Sequence, residues 1–213
     1  MAVGRREAIA GLLLRLRAMN LPHELMAAFE AVPRQNFVPV MHLDASYGPG
    51  QLPIECGQVM GSADMIARVL RHLEVGKDHR VLEIGTGTGY QAAILGKMAA
   101  KVTSLERWHT LVDKARQRLK ALELDNVVVE LADGRDGRPG EMFDRIVSNC
   151  AFDDIPRHFL DQLAAGGMAI APVGPADGQQ VMRKMVKVGA RFEVHDLHNV
   201  RQLPFVPGVA LAV

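Results

Sequence analysis

Apolar residues recur along the first third of the chain with the spacing of helices. The pattern predicts a helix over residues 5–19, with its arginines on the side opposite the apolar residues. A second helix is predicted over residues 23–32, and Pro33 ends it because proline interrupts helical hydrogen bonding. From there to Gly61 the chain is rich in proline and glycine and shows no clear helix. A loop of this length inside a compact domain usually carries function.

After Gly76, short apolar runs alternate with helical patterns. Ser62 is predicted to cap the helix just before this region. The predicted strands cover residues 80–84, 101–105, 126–131, 143–148 and 168–173, and the predicted helices cover residues 91–99, 109–122 and 156–163. Two further strands, 180–188 and 191–197, predict a closing antiparallel hairpin. This alternation is typical of an α/β fold, with a mostly parallel sheet and helices on both faces.

Composition and charge fit an ordinary globular protein and argue against several function classes. The 213 residues include 25 basic and 24 acidic ones, so the net charge of +1 indicates no nucleic-acid or membrane partner. No apolar run approaches the ~20 residues that span a bilayer, and no secretory signal is recognisable. Two cysteines are too few for a disulfide framework, so we expect a cytoplasmic protein. We expect a monomer, with an oligomer left open, and no metal site, because the histidines lack ligand spacing.

The strongest chemical signal is a glycine-rich turn between the first predicted strand and its helix. Residues 81–90 read VLEIGTGTGY, so an apolar strand runs directly into this turn. Glycine lets the backbone lie against a ligand without a side chain in between, and sheets of this kind bind ligands at the carboxyl end of the first strand. The candidate cofactor-binding residues here are Glu83, Gly85, Thr86, Gly87, Gly89 and Tyr90.

Acidic residues at the ends of the next two strands complete a cofactor pattern. Glu106 follows the glycine turn by about 20 residues, where an acid can accept two ribose hydroxyls. Asp133, followed by Gly134, ends the third strand, where its carboxylate can accept from an adenine amino group. Three signals at successive strand ends indicate S-adenosylmethionine and a Rossmann-like class I methyltransferase fold. Arg107 and Asn149 are further candidates for this cofactor site.

A nicotinamide-dependent oxidoreductase is the main alternative, because it also uses a glycine turn and an acid after the second strand. Its fingerprint is Gly-x-Gly-x-x-Gly, whereas this chain has Gly-x-Gly-x-Gly. The spacing and Asp133 therefore disfavour this alternative.

The chain also resembles the protein-L-isoaspartate O-methyltransferase family, from about Ala31 to Gly208. The segments that carry the resemblance are residues 32–39 (VPRQNFVP), 52–54 with 57–58, 83–93, 105–107, 166–167, 172–174, 200–201 and 203–206. The resemblance implies methylation of the misplaced carboxylate of isoaspartyl residues in damaged proteins, with S-adenosylmethionine as methyl donor. It also implies a sheet of class I methyltransferase order with an added antiparallel strand. The resemblance further implies that Glu106 binds ribose, that Asp133 and Gly134 lie at the adenine, and that Gly85 and Gly87 line the methionine end.

The substrate side departs from the family pattern. Where the family reads Thr-x-Ser after Gly-Gln, this chain has Val59-Met60-Gly61, so the position of the catalytic hydroxyl falls on Gly61. Ser62 is a candidate substitute donor after a shift of one residue. Glu55 replaces a glycine, and its charge would repel a carboxylate if it pointed inward. The substrate-side candidates are Ile54, Glu55, Gly57, Gln58, Val59 and Met60.

These departures cluster on one side of the expected site. They lead to the hypothesis of a divergent member that binds S-adenosylmethionine but has weakened isoaspartyl activity, another acceptor or a non-catalytic role. We expect residues 1–75 to form a helical segment with the substrate-side loop, packed on a core of residues 76–213 as one structural domain. Cys56 and Cys150 are expected to flank the pocket, and buried structural thiols are the favoured interpretation because no residue adjacent to them in the sequence supplies a cation that would activate a thiol.

Overall fold

The computed structural model describes residues 2–210, apart from the side chains of residues 2, 3 and 5. The chain begins with two helices, α1 (Ala2–Ala18) and α2 (His23–Ala31). Leu12 and Leu16 of α1 are buried, as the apolar spacing predicts. The prediction that the arginines of α1 lie on its outer side is wrong at Arg15. Its guanidinium pairs with the Asp64 carboxylate, with 2.8 Å between Nε and Oδ1, so this side of the helix also faces the protein.

The segment between α2 and Gly61 has more structure than the predicted loop. It contains three 3₁₀ turns, Arg34–Phe37, Val40–Ala45 and Glu55–Gly57, and the short antiparallel strands β1 (Leu52–Pro53) and β2 (Val59–Met60). Each piece is too short to show a hydrophobic period, which is why the sequence pattern did not predict it. Residues 50–61, which include β1 and β2, are called the substrate-side loop below.

A seven-stranded sheet forms the centre of the molecule. Its strands are β3 (Arg80–Ile84), β4 (Lys101–Glu106), β5 (Val127–Leu131), β6 (Phe143–Ser148), β7 (Leu163–Val173), β8 (Gln180–Val188) and β9 (Arg191–Val200). Their order across the sheet is β5-β4-β3-β6-β7-β8-β9. The first five strands are parallel, whereas β8 and β9 are antiparallel to their neighbours. The predicted hairpin is confirmed. Among the seven strands of this sheet β8 alone runs against the others, as the single added antiparallel strand that the resemblance implied, and β9 returns to the direction of the parallel strands.

Helices cover both faces of this sheet, as predicted for a Rossmann-like fold. The helices of this part are α3 (Ala63–Leu73), α4 (Tyr90–Met98), α5 (His109–Ala121) and α6 (Arg157–Asp161). Successive residues of a strand point to opposite faces, so Val81 and Leu82 belong to different apolar clusters. The first cluster packs against α1–α5 and the second against α6. Within residues 2–210, no helix combines the length and apolar character needed to cross a membrane.

The chain returns across the carboxyl edge of the sheet after its last strand. This stretch, residues 202–208, is called the returning tail. It is held beside β6 by two backbone hydrogen bonds, Ala151 N to Leu203 O at 2.9 Å and Phe205 N to Ala151 O at 2.7 Å. The Phe205 ring stacks on Phe152, with 5.0 Å between ring centroids. The returning tail therefore forms a wall above the ends of the parallel strands.

Candidate active site

The glycine turn joins the end of β3 to the start of α4, where it bends the backbone sharply. Gly85 has a φ of 87°, and its N–H donates to Leu105 O at 2.8 Å, which ties the turn to the end of β4. Gly89 has a φ of 88°, and a Cβ there would lie 3.1 Å from the Ala115 Cβ of α5. Both positions favour glycine because side chains rarely adopt this backbone conformation. Gly85 thus faces the strand ends, whereas Gly89 allows α5 to pack closely.

A buried hydrogen-bond network lies directly beneath this turn. The Glu83 carboxylate accepts from Ser104 Oγ at 2.5 Å and from Asn149 Nδ2 at 3.3 Å. Asn149 Nδ2 also donates to Gly85 O at 3.0 Å, and Thr86 Oγ1 lies 2.5 Å from Ser104 Oγ. Burial disfavours the charged form of Glu83 and raises its pKa to about 7, against the opposing effect of these hydrogen bonds. The network therefore couples the glycine turn to an acid that titrates near neutral pH.

Glu106 lies at the end of β4 and is almost completely buried. Its carboxylate accepts from three backbone N–H groups, those of Gly87 and Arg107 at 2.8 Å and that of Trp108 at 3.1 Å. Burial raises its pKa, although the three donors act in the opposite direction. These bonds fix the carboxylate at the strand end, and its remaining lone pairs are available to a ligand hydroxyl.

A large cleft of about 310 Å³ opens at the carboxyl ends of the parallel strands. Several predicted cofactor residues line it together, namely Gly85, Gly87, Glu106, Arg107, Gly134 and Asn149. The returning tail closes one side of this cleft, and Trp108 lines it as well. The indole N–H of Trp108 is buried and has no hydrogen-bond partner within residues 2–210. This N–H has almost no accessible surface in the large cleft, so the polar groups that its lining offers a ligand are the Glu106 carboxylate and the backbone of the glycine turn.

Other predicted cofactor residues take up different positions. Asp133 accepts from Arg135 N at 2.9 Å and from Gly208 N at 2.7 Å, so its carboxylate joins the end of β5 to the returning tail. Thr86 and Tyr90 line a second cleft, described next, and Glu83 lies beneath the turn. Binding of adenine by Asp133 stays a prediction.

A small cleft of about 60 Å³ adjoins the large one on the side of α3 and the substrate-side loop. Its lining includes Met60, Gly61, Met65, Gln91 and Ser148. Five residues line both clefts, namely Val59, Gly85, Gly87, Asn149 and Gln202. The two clefts therefore meet at the glycine turn. A group bound in one lies beside a group bound in the other.

Glu55 does not point into either cleft. Its carboxylate pairs with Lys114 of α5, with 2.5 Å between Oε1 and Nζ. Burial acts to raise the pKa of Glu55, but the Lys114 hydrogen bond and charge outweigh this effect and hold the pKa below its usual value. The ion pair neutralises the charge and fastens the substrate-side loop to α5. The repulsion of a carboxylate that an inward Glu55 would cause is therefore absent from this arrangement.

Neither Gly61 nor Ser62 presents a hydroxyl group to the small cleft. A Cβ built on Gly61 would lie 2.5 Å from Met65 Cε, so the Met65 methyl group fills the space where the family carries a side chain. Ser62 is the N-cap of α3, as predicted, and its Oγ accepts from Met65 N at 3.2 Å. It is buried and lines neither cleft. Ser62 as a substitute donor stays a prediction to which the structure adds no contact.

Of the other substrate-side candidates, Ile54, Gly57 and Gln58 line the large cleft, and Met60 lines the small one. Burial raises the pKa of the Cys150 thiol to about 12 and also raises that of Cys56. A thiol with a raised pKa is a poor nucleophile, which favours the interpretation of both as structural residues.

Sequence reasoning missed two polar residues beside the small cleft. Arg34 is buried, and its guanidinium donates to Ser46 O and Gly61 O, both at 2.7 Å, while lying 4.8 Å from the Tyr90 ring centroid. It holds the backbone of the substrate-side loop in place. Gln202 of the returning tail lines both clefts. The only sign of their importance in the sequence is that Arg34 lies within the segment 32–39, and Gln202 between the segments 200–201 and 203–206, which carry the family resemblance.

Comparisons with known proteins agree with this geometry. A sequence model described as protein-L-isoaspartate(D-aspartate) O-methyltransferase matches residues 10–210. A protein-L-isoaspartate O-methyltransferase of Bradyrhizobium sp. (strain BTAi1) is 42% identical over 200 residues, which cover 93% of each chain. One from Rhizobium meliloti (strain 1021) is 40% identical over 92% of this chain and 98% of its own.

Solved structures show the same fold at lower sequence identity. A protein-L-isoaspartate O-methyltransferase superimposes with a TM-score of 0.83 at 23% identity, over 94% of this chain and 66% of its own. A protein from Plasmodium falciparum, described as a putative member of the same group and solved with S-adenosyl-L-homocysteine, has a TM-score of 0.80 at 20% identity, over 92% and 97% of the two chains.

Proposed function

Since the chain belongs to the protein-L-isoaspartate(D-aspartate) O-methyltransferase family, we propose that it methylates the misplaced carboxylate of isoaspartyl residues in damaged proteins, with S-adenosylmethionine as methyl donor. The observation that carries this proposal is the meeting of two clefts at Gly85, Asn149 and Gln202. A donor in the large cleft and an acceptor in the small one would be brought together there. Family membership also favours a methyltransferase over the nicotinamide-dependent alternative.

The residues of the large cleft fit the methyl donor. The Glu106 carboxylate keeps lone pairs for the ribose hydroxyls, and the Trp108 side chain lines the same cleft. Gly85 and Gly87 would hold the methionine end, with Asn149 beside them. Arg107 also lines the large cleft, and its guanidinium lies 5.1 Å from the Trp108 ring centroid and donates to Gly208 O.

The chain's own contribution to the reaction is positioning. When S-adenosylmethionine is bound, it supplies a methyl group whose bond to sulfur breaks as a carboxylate oxygen bonds to the carbon, with the electron pair left on sulfur. A carboxylate is already ionised near neutral pH, so no side chain has to remove a proton. Holding both groups in line can lower the barrier by several kcal/mol, on the order of 7–11 at best. The absence of an acid–base pair from the residues described around the small cleft is consistent with this chemistry.

Titration calorimetry with S-adenosylmethionine, followed by tritiated-methyl transfer to an isoaspartyl peptide, tests the proposal. The same peptide with a normal aspartyl residue is the control for the acceptor. We expect binding to the protein and transfer to the isoaspartyl peptide only. Binding without transfer to this peptide would overturn the proposed acceptor and support the divergent interpretation of the Gly61 and Val59 positions. No binding would overturn the cofactor assignment.

A further inference from the structure

Gln202 is the one side chain of the returning tail that lines both clefts. We infer that its amide N–H binds the acceptor carboxylate and replaces the hydroxyl that this chain lacks at Gly61. The inference rests on the proposed function, because it concerns the acceptor of that same reaction. It assigns a substrate-binding role to a residue that lies 141 positions away from Gly61 along the chain.

The first observation is the space above Gly61. Met65 Cε would lie 2.5 Å from a Cβ at this position, so a serine could be accommodated only if the Met65 side chain moved. The sulfur of the same Met65 lies 3.4 Å from Gln202 Nε2. The Met65 side chain therefore lies between Gly61, where the hydroxyl is missing, and the Gln202 amide. The three residues form one contact group on the wall of the small cleft.

The second observation is how firmly the backbone of Gln202 is held. The backbone N–H of Gln202 donates to Gln180 Oε1 at 2.8 Å, and Gln180 Nε2 donates to the backbone carbonyl oxygen of Gln202 at 3.2 Å. Gln180 is itself buried, with 1% of its surface exposed, and belongs to β8. The main chain at Gln202 is therefore anchored to the sheet by a pair of reciprocal bonds, which leaves its side chain to point at the clefts.

The third observation is the poor partner of the Gln202 amide. Within residues 2–210, the sulfur of Met65 is the hydrogen-bond acceptor of its Nε2, and a thioether is a weak acceptor. A carboxylate accepts much more strongly, and hydrogen bonds to charged groups contribute more than neutral ones. An acceptor carboxylate in the small cleft would therefore displace the sulfur contact. Gln202 would then hold the carboxylate oxygen that does not receive the methyl group, which aligns the other one.

The test substitutes methionine for glutamine, which keeps the length of the side chain and removes the amide. We expect Gln202→Met to lower kcat/KM for the isoaspartyl peptide about 10- to 100-fold, the value of a hydrogen bond to a charged group. Most of the change should appear in KM, because the carboxylate loses its charge as the ester forms and the bond stabilises the bound substrate at least as much as the transition state. The Kd for S-adenosylmethionine should stay within about threefold of the wild type, on the scale where tenfold is 1.4 kcal/mol.

Two further variants separate substrate binding from a structural effect. Gln179→Met is the matched control, since Gln179 is exposed and its side chain contacts Asn199 instead of the clefts. Restoring the family hydroxyl should rescue the defect. In the Gln202→Met background, Gly61→Ser with Met65→Ala provides the hydroxyl and the space for it, and Gly61 is not in the left-handed region. We expect this triple variant to recover most of the lost kcat/KM.

The outcomes distinguish this inference from the function on which it rests. If the wild type binds S-adenosylmethionine but never methylates the isoaspartyl peptide, the proposed function fails and the role of Gln202 fails with it. If the wild type methylates the peptide and Gln202→Met does so with the same KM, only the role of Gln202 is overturned. A defect in Gln202→Met that appears equally in the Kd for S-adenosylmethionine, or that the hydroxyl does not rescue, also overturns it.

Discussion

At the scale of single residues, burial controls the chemistry beneath the glycine turn. Glu83 is fully buried, and no cation contacts it in the described part of the chain; its partners are the neutral side chains of Ser104 and Asn149. Neutral donors lower the pKa of a carboxyl group less than a paired cation does, so the cost of burying the charge prevails. The acid therefore changes its charge in the pH range where the protein is handled.

This titration predicts a pH-dependent stability. The folded-state pKa of Glu83 is about 7, above its ordinary value of 4.5, so its contribution is fully present below pH 4.5 and is lost as the pH rises through 7. The loss amounts to about 3 kcal/mol in the free energy of unfolding. Glu83→Gln removes the titrating group, so the wild type should lose stability relative to this variant between pH 4.5 and 7, with no further change above about pH 8.

Urea denaturation at a series of pH values measures this difference. The matched control is Glu193→Gln, because Glu193 is exposed on β9. The difference in the free energy of unfolding between Glu193→Gln and the wild type should not change in this way between pH 4.5 and 7. A difference between the wild type and Glu83→Gln that is constant from pH 4.5 to 8 would show that Glu83 does not hold a proton in the folded protein.

At the scale of elements, helix α3 and the substrate-side loop are held by separate devices. The loop is fastened to α5 by the pair of Glu55 and Lys114, and its end is held by Arg34 through Gly61 O. Helix α3 begins at its own cap, Ser62. Gly61, which Arg34 holds, and Ser62, which caps α3, are adjacent in the chain. The wall of the small cleft therefore depends on both interactions.

The cap gives a prediction for helix α3. Ser62→Ala removes the acceptor for Met65 N and should lower the free energy of unfolding by about 1 kcal/mol, whereas Ser62→Gly should cost only a few tenths. Chemical denaturation of both variants measures the effect. A loss of methyl transfer beyond the loss of folded protein, in both variants, would assign a substrate contact to the hydroxyl as the sequence predicted.

Elements with a local pattern could be predicted from the sequence, and contacts between distant residues could not. Strands 80–84 and 143–148 and the Ser62 cap follow from residues that adjoin one another, and the structure has them at the predicted positions. Strand β7 begins five residues before the predicted start at Met168, because the small residues 164–167 show no alternation of apolar and polar side chains.

The candidate site shows the same limit. The glycine turn and Glu106 were predicted to lie together, because parallel strands bring their carboxyl ends to one edge of the sheet. The partner of Glu55 is 59 residues away, and that of the Gln202 amide is 137 residues away. Such contacts depend on side-chain direction in the folded chain, which spacing along the sequence does not contain.

At the scale of the whole molecule, the returning tail crosses the carboxyl edge of the sheet and forms one wall of the large cleft. Phe205 stacks on Phe152 and lines the large cleft, while Gly208 N donates to Asp133. Phe205→Ala removes an aromatic pair worth about 1 kcal/mol. Because Phe205 also lines the large cleft, the variant loses apolar contact with the ligand as well; a loss of about 1 kcal/mol of this contact would lower the affinity for S-adenosylmethionine roughly fivefold.

Titration calorimetry measures this affinity, and limited proteolysis shows whether the tail has loosened. Val209→Ala is the control, because Val209 is exposed and lies just beyond the returning tail. An unchanged Kd in Phe205→Ala would mean that the tail encloses the cleft without contributing to binding.

The position of the returning tail in the sequence also determines when the large cleft can form. Gly85 and Glu106 leave the ribosome early, but the wall that completes their cleft is encoded about a hundred residues later, at 202–208. A nascent chain can therefore form much of its parallel sheet while it is still unable to enclose a ligand. The large cleft can therefore bind its ligand only after residues 202–208 have been made and have folded across the strand ends.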